Sequence, residues 1–528
     1  MVGELFEKRK DLALIMAFMN WILFLPLFLG ILSSELRAEL TLHPLIGDHA
    51  VFQRDVPFPV IGKTDPNSEV VVKWQGKDFK VKAGADGKWL VRLDPSPANE
   101  KGQILVVSSG TNSIEVSDIL IGEVWLASGQ SNMRWKLKEC VAQSVEAEKA
   151  EDSLLRLVGI SPSPSRDPSD NVKISWNLSS KESALDFSAV GYFFGRELRK
   201  DLKVPVGVIL SAVGGTPAEA WTPIDFLQAD PDFAKAVKDR NEYPNRYPRL
   251  LEKYEKEKPA YDLAVAEAKK TGAKPPKKPR APQAPDKNTG LASVLWNGMI
   301  YPLVPYPIRG VIWYQGEANG NRGEVYEKLL TGMIGSWRKA WGQGDFPFLI
   351  VQLADFNYSE EGAGAAGIKW AQLRDAQSAV ADHVPRTGLA VTLGLGDPEN
   401  IHPQRKMEVG ERLALLAKKI VYGKDVVCQG PVFDSVKYSG GEATVSFRPL
   451  AGALKSSDQK EVGGFAVAGS DKQFKPAQVR LEKNQVILKS AEVANPAFVR
   501  YAWCNRPADA NLTDESNLPA RPFRTDTD

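Results

Sequence analysis

From residue 119 onward, short apolar runs alternate with longer stretches in which apolar positions recur every three or four residues. The runs lie at 123–127, 204–210, 308–314, 346–352 and 388–393, and the helical spacing at 190–202, 325–341, 370–381 and 404–421. Strands that alternate with helices build a parallel sheet covered on both faces. Residues 119–425 are therefore expected to form a doubly wound α/β domain. Between 39 and 118 the runs are short and β-rich, with Gly76, Gly87 and Gly110 at the corners, which predicts a small β-sandwich-like domain. The same pattern returns over 426–528 and predicts a second one.

Two stretches break the rhythm. Residues 239–288 begin as a charged segment with some helical spacing at 247–268 and end rich in Lys and Pro, which reads as a solvated surface insertion with a short helical arm. At the N-terminus, Lys8-Arg9-Lys10 precede an apolar run from Leu12 to Leu32 and a polar boundary near Ala38. That order describes a secretory signal over 1–38, or an anchor if it stays uncleaved, and predicts an exported protein, secreted or periplasmic. Membrane contact is expected only in the uncleaved case.

Composition changes this picture little. The chain has 528 residues, 43% hydrophobic and 25% charged, with a formal net charge of +2, so nothing points to a nucleic-acid partner. Cys140, Cys428 and Cys504 are too few for a disulfide scaffold and fit no zinc spacing, although Cys428 and Cys504 could pair in an oxidising compartment.

The chemistry gathers where the apolar runs end. The first run stops at Gly129-Gln130-Ser131-Asn132, ahead of a charged, helix-like stretch at 136–151. The second ends in Gly214-Gly215-Thr216 and leads to Glu219 and Trp221. The third ends in Gln315-Gly316-Glu317-Ala318-Asn319, and the last in Asp397, Glu399 and His402. An open α/β sheet binds its ligands at these carboxyl ends. Ser131 is either a helix N-cap or a nucleophile, and a serine nucleophile needs a base. Of the four histidines, His43, His49, His383 and His402, only His402 follows such a strand end. An acid shortly before it would hold the ring. Backbone N–H groups of Ser131 and of Gly214 or Gly215, with a side-chain amide from Gln315 or Asn319, would hold an oxyanion.

In these blocks, Gly-Gln-Ser131-Asn-Met, Gly214-Gly-Thr-Pro-Ala-Glu-Ala-Trp221, Trp313-Tyr-Gln-Gly-Glu-Ala-Asn319 and Asp397-Pro-Glu-Asn-Ile-His402-Pro, the chain resembles the sialate O-acetylesterase-like carbohydrate esterases of the SGNH-hydrolase superfamily. The resemblance covers almost the whole chain after the signal. It implies a metal-free, cofactor-free serine esterase that removes O-acetyl groups from sugars through an acetyl-serine intermediate. Ser131 is then the nucleophile and His402 the base. Asp397 is the preferred acid, with Glu399 as the alternative, and Ser131, Gly215, Gln315 and Asn319 form the oxyanion hole. Gln130, Trp221 and Glu317 are assigned to the acetylated sugar, although Trp221, Trp313 and Tyr314 also read as core aromatics. The sequence departs from the superfamily pattern in two places. Glu399, not Asp, stands three residues before His402, and Asn319 lies three residues after Gly316; Gln315 is preferred over Asn319 on that ground. Two other readings stay open: a non-catalytic carbohydrate-binding surface protein, and an esterase or transferase for another acyl group.

Overall fold

The computed structural model describes residues 39–526 except 171, 173 and 359–366; the expected signal segment lies outside the described residues. The chain divides into two compact units that interleave along the sequence. Among the described residues, the first comprises 39–43, 60–91 and 106–115, the second 44–59, 92–105 and those from 116 to 526.

The smaller unit is β-structure. Its hairpin joins Glu69–Trp74 to Lys77–Lys82 through Gln75 and Gly76, both at positive φ (48° and 75°), the conformation that suits a two-residue hairpin turn. Val70, Val72 and Trp74 alternate inward and are buried.

From residue 116 onward, the larger unit holds the greater part of its central strand β1 (Asn112–Gly129), followed in the chain by β2 (Asp152–Gly159), β3 (Asn177–Ser179), β4 (Val206–Ala212), β5 (Gly310–Tyr314), β6 (Phe348–Val351) and β7 (Thr387–Ala390). Their order in the sheet is β3-β2-β4-β1-β5-β6-β7. Edge strand β3 is antiparallel, and every other neighbouring pair is parallel. The chain lays β2 and β3 on one side of β1, returns to set β4 between β2 and β1, and then crosses to the other side, so the carboxyl end of β1 is a topological switch point.

Helices cover both faces. Alternate residues of a strand point to opposite sides; Ile312 and Tyr314 join the core that includes Phe193 and Phe194 of α2 (Ala189–Leu202) and Leu413 of α6 (Lys406–Ile420). On the other face, Trp313 packs edge-on against Trp337 of α4 (Gly323–Trp341), centroids 5.9 Å apart. Between α4 and α6 in the chain lies α5 (Lys369–His383).

Three expectations need correction. The 136–151 stretch is no α-helix: after the four-residue α1 (Ser131–Arg134) come two 3-10 turns, Leu137–Glu139 and Ser144–Lys149. Strand β2 had no apolar run to announce it, because Asp152 and Arg156 interrupt the pattern. Arg156 is nevertheless buried, donating to the Ser153 and His49 carbonyls and to Asp118. The insertion, in turn, contains a long helix, α3 (Ala234–Thr271), that tolerates Pro244, Pro248 and Pro259. Pairs four residues apart, Lys235–Asp239 at 2.7 Å and Glu252–Lys256 at 2.6 Å among them, support a helix that buries only Arg240 and Ala268.

Past α6, residues 432–448 and 478–489 form a four-stranded antiparallel sheet, and Phe465–Ala468, Phe498–Tyr501 and two short partners form another. All three cysteines are free, so Cys428 and Cys504 are not paired.

Candidate active site

The three central strands converge on Ser131. Gln130 N–H donates to the Tyr314 carbonyl at 3.0 Å, and Val213 N–H donates to the Gly129 carbonyl at 3.1 Å. Only glycine fits at 129: its φ is 136°, and a Cβ there would lie 2.2 Å from the Tyr314 oxygen. Gln130 occupies the cap position of α1, so Ser131 is its first helical residue and not its N-cap. Its N–H is among those a helix leaves free in its first turn. The side chain is half-buried.

The second loop lies directly alongside. A Cβ built on Gly214 would stand 3.3 Å from the Ser131 Cβ, while Gly215, at φ 70°, faces open space.

In the third loop, the Gln315 amide is fully buried and fully used. Its nitrogen donates to Asn319 Oδ1 (2.8 Å), Gln130 Oε1 (3.2 Å) and the Thr216 carbonyl (3.2 Å), and its oxygen accepts from Tyr326. With no donor left, Gln315 cannot serve as the oxyanion amide. Asn319 Nδ2 makes one hydrogen bond, to Glu219 Oε2 at 2.9 Å, while its oxygen accepts from Ala218 N–H and Gln315.

The residues expected to hold the sugar are deeply placed. Trp221 is fully buried, edge-on to Trp313 at 6.0 Å, with its indole N–H donating to Thr216 Oγ1, so it is core and offers no face to a sugar. Gln130 is 3% exposed, and its oxygen accepts from Ala318 N–H and the Gln315 amide, bracing the third loop. Glu317 turns Oε1 to the Asn132 amide, and its Oε2 is buried without a partner among the described residues. Burial pushes its carboxyl above the ordinary range, against the hydrogen bond from Asn132.

His402 reaches the site from the loop after β7. The carbonyl of its neighbour Ile401 accepts from Asn132 Nδ2 at 2.9 Å, which ties this loop to the residue after Ser131. Among the described residues the imidazole makes no hydrogen bond. It stacks on Trp135, centroids 4.4 Å apart and planes 20° apart. Burial, aided by the charge of Lys406, lowers its pKa. Neither expected acid holds the ring. Asp397 Oδ1 accepts from the N–H groups of Glu399 and Asn400, closing a tight turn, and Glu399 accepts from Asn357.

Asn132, Trp135 and Lys406 were missed by sequence reasoning. Asn132 had a signal, its place beside Ser131; the other two carry none outside the folded chain. A cavity of about 180 Å³ adjoins Asn319, lined by polar groups that include Glu219, Asp239 and Arg322.

Comparison with known proteins places this arrangement. Residues 299–419 match the family model described as carbohydrate esterase, sialic acid-specific acetylesterase. A sialate O-acetylesterase of Rattus norvegicus is 30% identical over 482 residues, covering 83% of this chain and 84% of the relative. The chain belongs to the sialate O-acetylesterase family. This esterase is thus a carboxylic-ester hydrolase. The Homo sapiens sialate O-acetylesterase is 27% identical over 519 residues, 90% of this chain and 91% of its own. A carbohydrate acetylesterase from Xanthomonas citri has the same fold, with a TM-score of 0.78 at 36% identity over 92% of this chain and all of the other. Among the described residues no helix is long and apolar enough to cross a membrane, and no cluster of side chains is suited to a metal ion.

Proposed function

We propose that this esterase is an exported SGNH-type hydrolase that removes O-acetyl groups from carbohydrates through an acetyl-serine intermediate. The observation that carries the reading is the close packing of the Gly214-Gly215 turn against Ser131, 3.3 Å from a Gly214 Cβ to the Ser131 Cβ, with open space at Gly215, which supports backbone N–H donors set beside the serine.

Ser131 Oγ attacks the acetyl carbonyl carbon as His402 takes its proton. The oxyanion is held by the N–H groups of Ser131 and Gly215 and the remaining Asn319 amide proton. The sugar hydroxyl leaves with the proton from His402. A water then attacks the acetyl-serine, with His402 again the base, and acetate departs. Asp397 is engaged within its own loop and Glu399 with Asn357, so Ser131 and His402 act as a pair, with Trp135 orienting the ring. The polar cavity beside Asn319 supports a hydroxyl-rich leaving group, because carboxylates and guanidinium groups are suited to hydrogen-bonding sugar hydroxyls.

The test is acetate release from a panel of acetylated glycans, including acetylated sialic acid and plant polysaccharides, by the wild type and Ser131→Ala. The variant is expected to be inactive, and undiminished hydrolysis would refute the reading. Detection of the processed chain outside the cytoplasm tests export.

A further inference from the structure

The side chain of Asn132 is engaged on every side. Its Nδ2 donates to the Ile401 carbonyl at 2.9 Å and to Glu317 Oε1, and its Oδ1 accepts from Lys406 Nζ at 2.5 Å. Those partners come from three segments: the third loop, the His402 loop and the start of α6. One amide therefore pins the Ser131 turn to everything that surrounds it.

Lys406 is the unusual member. It is 0% exposed, and its ammonium lies 5.2 Å from the centroid of the Tyr314 ring. It opens α6, where the helix dipole disfavours a cation. Among the described residues no carboxylate forms an ion pair with it. Burying a cation there costs stability, and packing alone would favour Leu or Met.

We propose that Lys406 is a positioning residue of this esterase: its ammonium orients the Asn132 amide that clamps the Ser131 turn, and it sets a positive charge beside the His402 loop that the same amide holds. This rests on the reading of Ser131 and His402 given above. The titratable groups facing Lys406 are Glu317 on the third loop, Tyr314 at the end of β5, Cys140 after the first 3-10 turn and His402 ahead of α6; Glu139 faces His402 and raises its pKa. Burial pushes the Cys140 thiol up to about 11, so it stays neutral, and lowers Lys406 to about 7. The ammonium is therefore charged below neutral pH, the range in which His402 would otherwise take up a proton.

The experiment follows kcat/KM against pH with 4-nitrophenyl acetate for full-length wild type, Lys406→Met, Lys406→Arg and Ser131→Ala, each checked for a native near-UV spectrum. Lys406→Gln supplies a second neutral side chain should the Met variant fail to fold. Without the charge, the acid limb is expected to move up by on the order of one pH unit, a loss of about tenfold below it. The Arg variant is expected to keep the limb near its wild-type position. An unmoved limb in the neutral variants, with Ser131→Ala inactive, overturns the role of Lys406 alone. An active Ser131→Ala overturns the underlying assignment too.

Discussion

The indole of Trp135 lies on the imidazole of His402, with ring centroids 4.4 Å apart and planes inclined by 20°. Because no described carboxylate bonds the ring, this stack is what restrains it. Aromatic pairs contribute about 0.5–1.5 kcal/mol beyond burial. Trp135→Ala is accordingly expected to lower kcat about 3- to 10-fold with KM little changed, and Trp135→Phe to retain most of the activity. Steady-state kinetics with a chromogenic acetate ester separate the two; equal losses in both variants would mean that ring orientation is set elsewhere.

The lowered pKa of His402 has a defined sign in kinetics. A general base acts unprotonated, so depressing its pKa moves the acid limb of kcat/KM to lower pH. Burial is the main cause and Lys406 the second. The midpoint is expected below about 6.5, the ordinary value for histidine. A pH–rate profile of the wild type checks this, and a midpoint above that value contradicts it.

Asn319 and Gln315 should separate by effect. Asn319 keeps an amide proton available, and loss of one oxyanion donor typically costs about 10²–10³ in kcat. Asn319→Ala is expected to fall in that range at nearly unchanged KM. Gln315 spends its amide inside the protein, so Gln315→Ala should appear chiefly as a lower melting temperature. Calorimetry paired with kinetics distinguishes the outcomes.

Glu123 lies within β1, six residues before Gly129 and so roughly 20 Å along the strand from the turn that carries Ser131. It is fully buried, held by Arg54 Nε and Arg309 Nε, each at 2.6 Å. Removing one member of such a buried cluster leaves charge uncompensated and costs about 3–5 kcal/mol. Glu123→Ala should therefore lose that much stability in denaturant titration, while the folded fraction keeps a kcat within about twofold of wild type.

How much of this was legible beforehand follows from the range of the forces involved. Hydrophobic periodicity is local, and it located strands β4, β5, β6 and β7 and helices α2, α4, α5 and α6 to within a few residues, but it saw only the carboxyl half of β1, which starts at Asn112 and runs through the expected boundary at 118. It missed β2 because Arg156 is buried through partners distant in sequence, Asp118 and the His49 carbonyl, which no window along the chain contains. It shortened α3 because three prolines count against a helix locally, while ion pairs a turn apart support it.

The sequence by itself determined the strand-end blocks around Ser131, Gly215, Asn319 and His402, since glycine and small polar residues after apolar runs mark the carboxyl ends of a parallel sheet. Tertiary structure alone decided which side chains in those blocks are free. Gln315 and Trp221 looked equivalent to their neighbours in the chain, yet burial and competing hydrogen bonds commit both to the core. Lys406 looked like an ordinary charge before a helix until folding brought it against Asn132. A side chain's availability depends on what surrounds it in space, and that is a sum over contacts between residues far apart in the sequence.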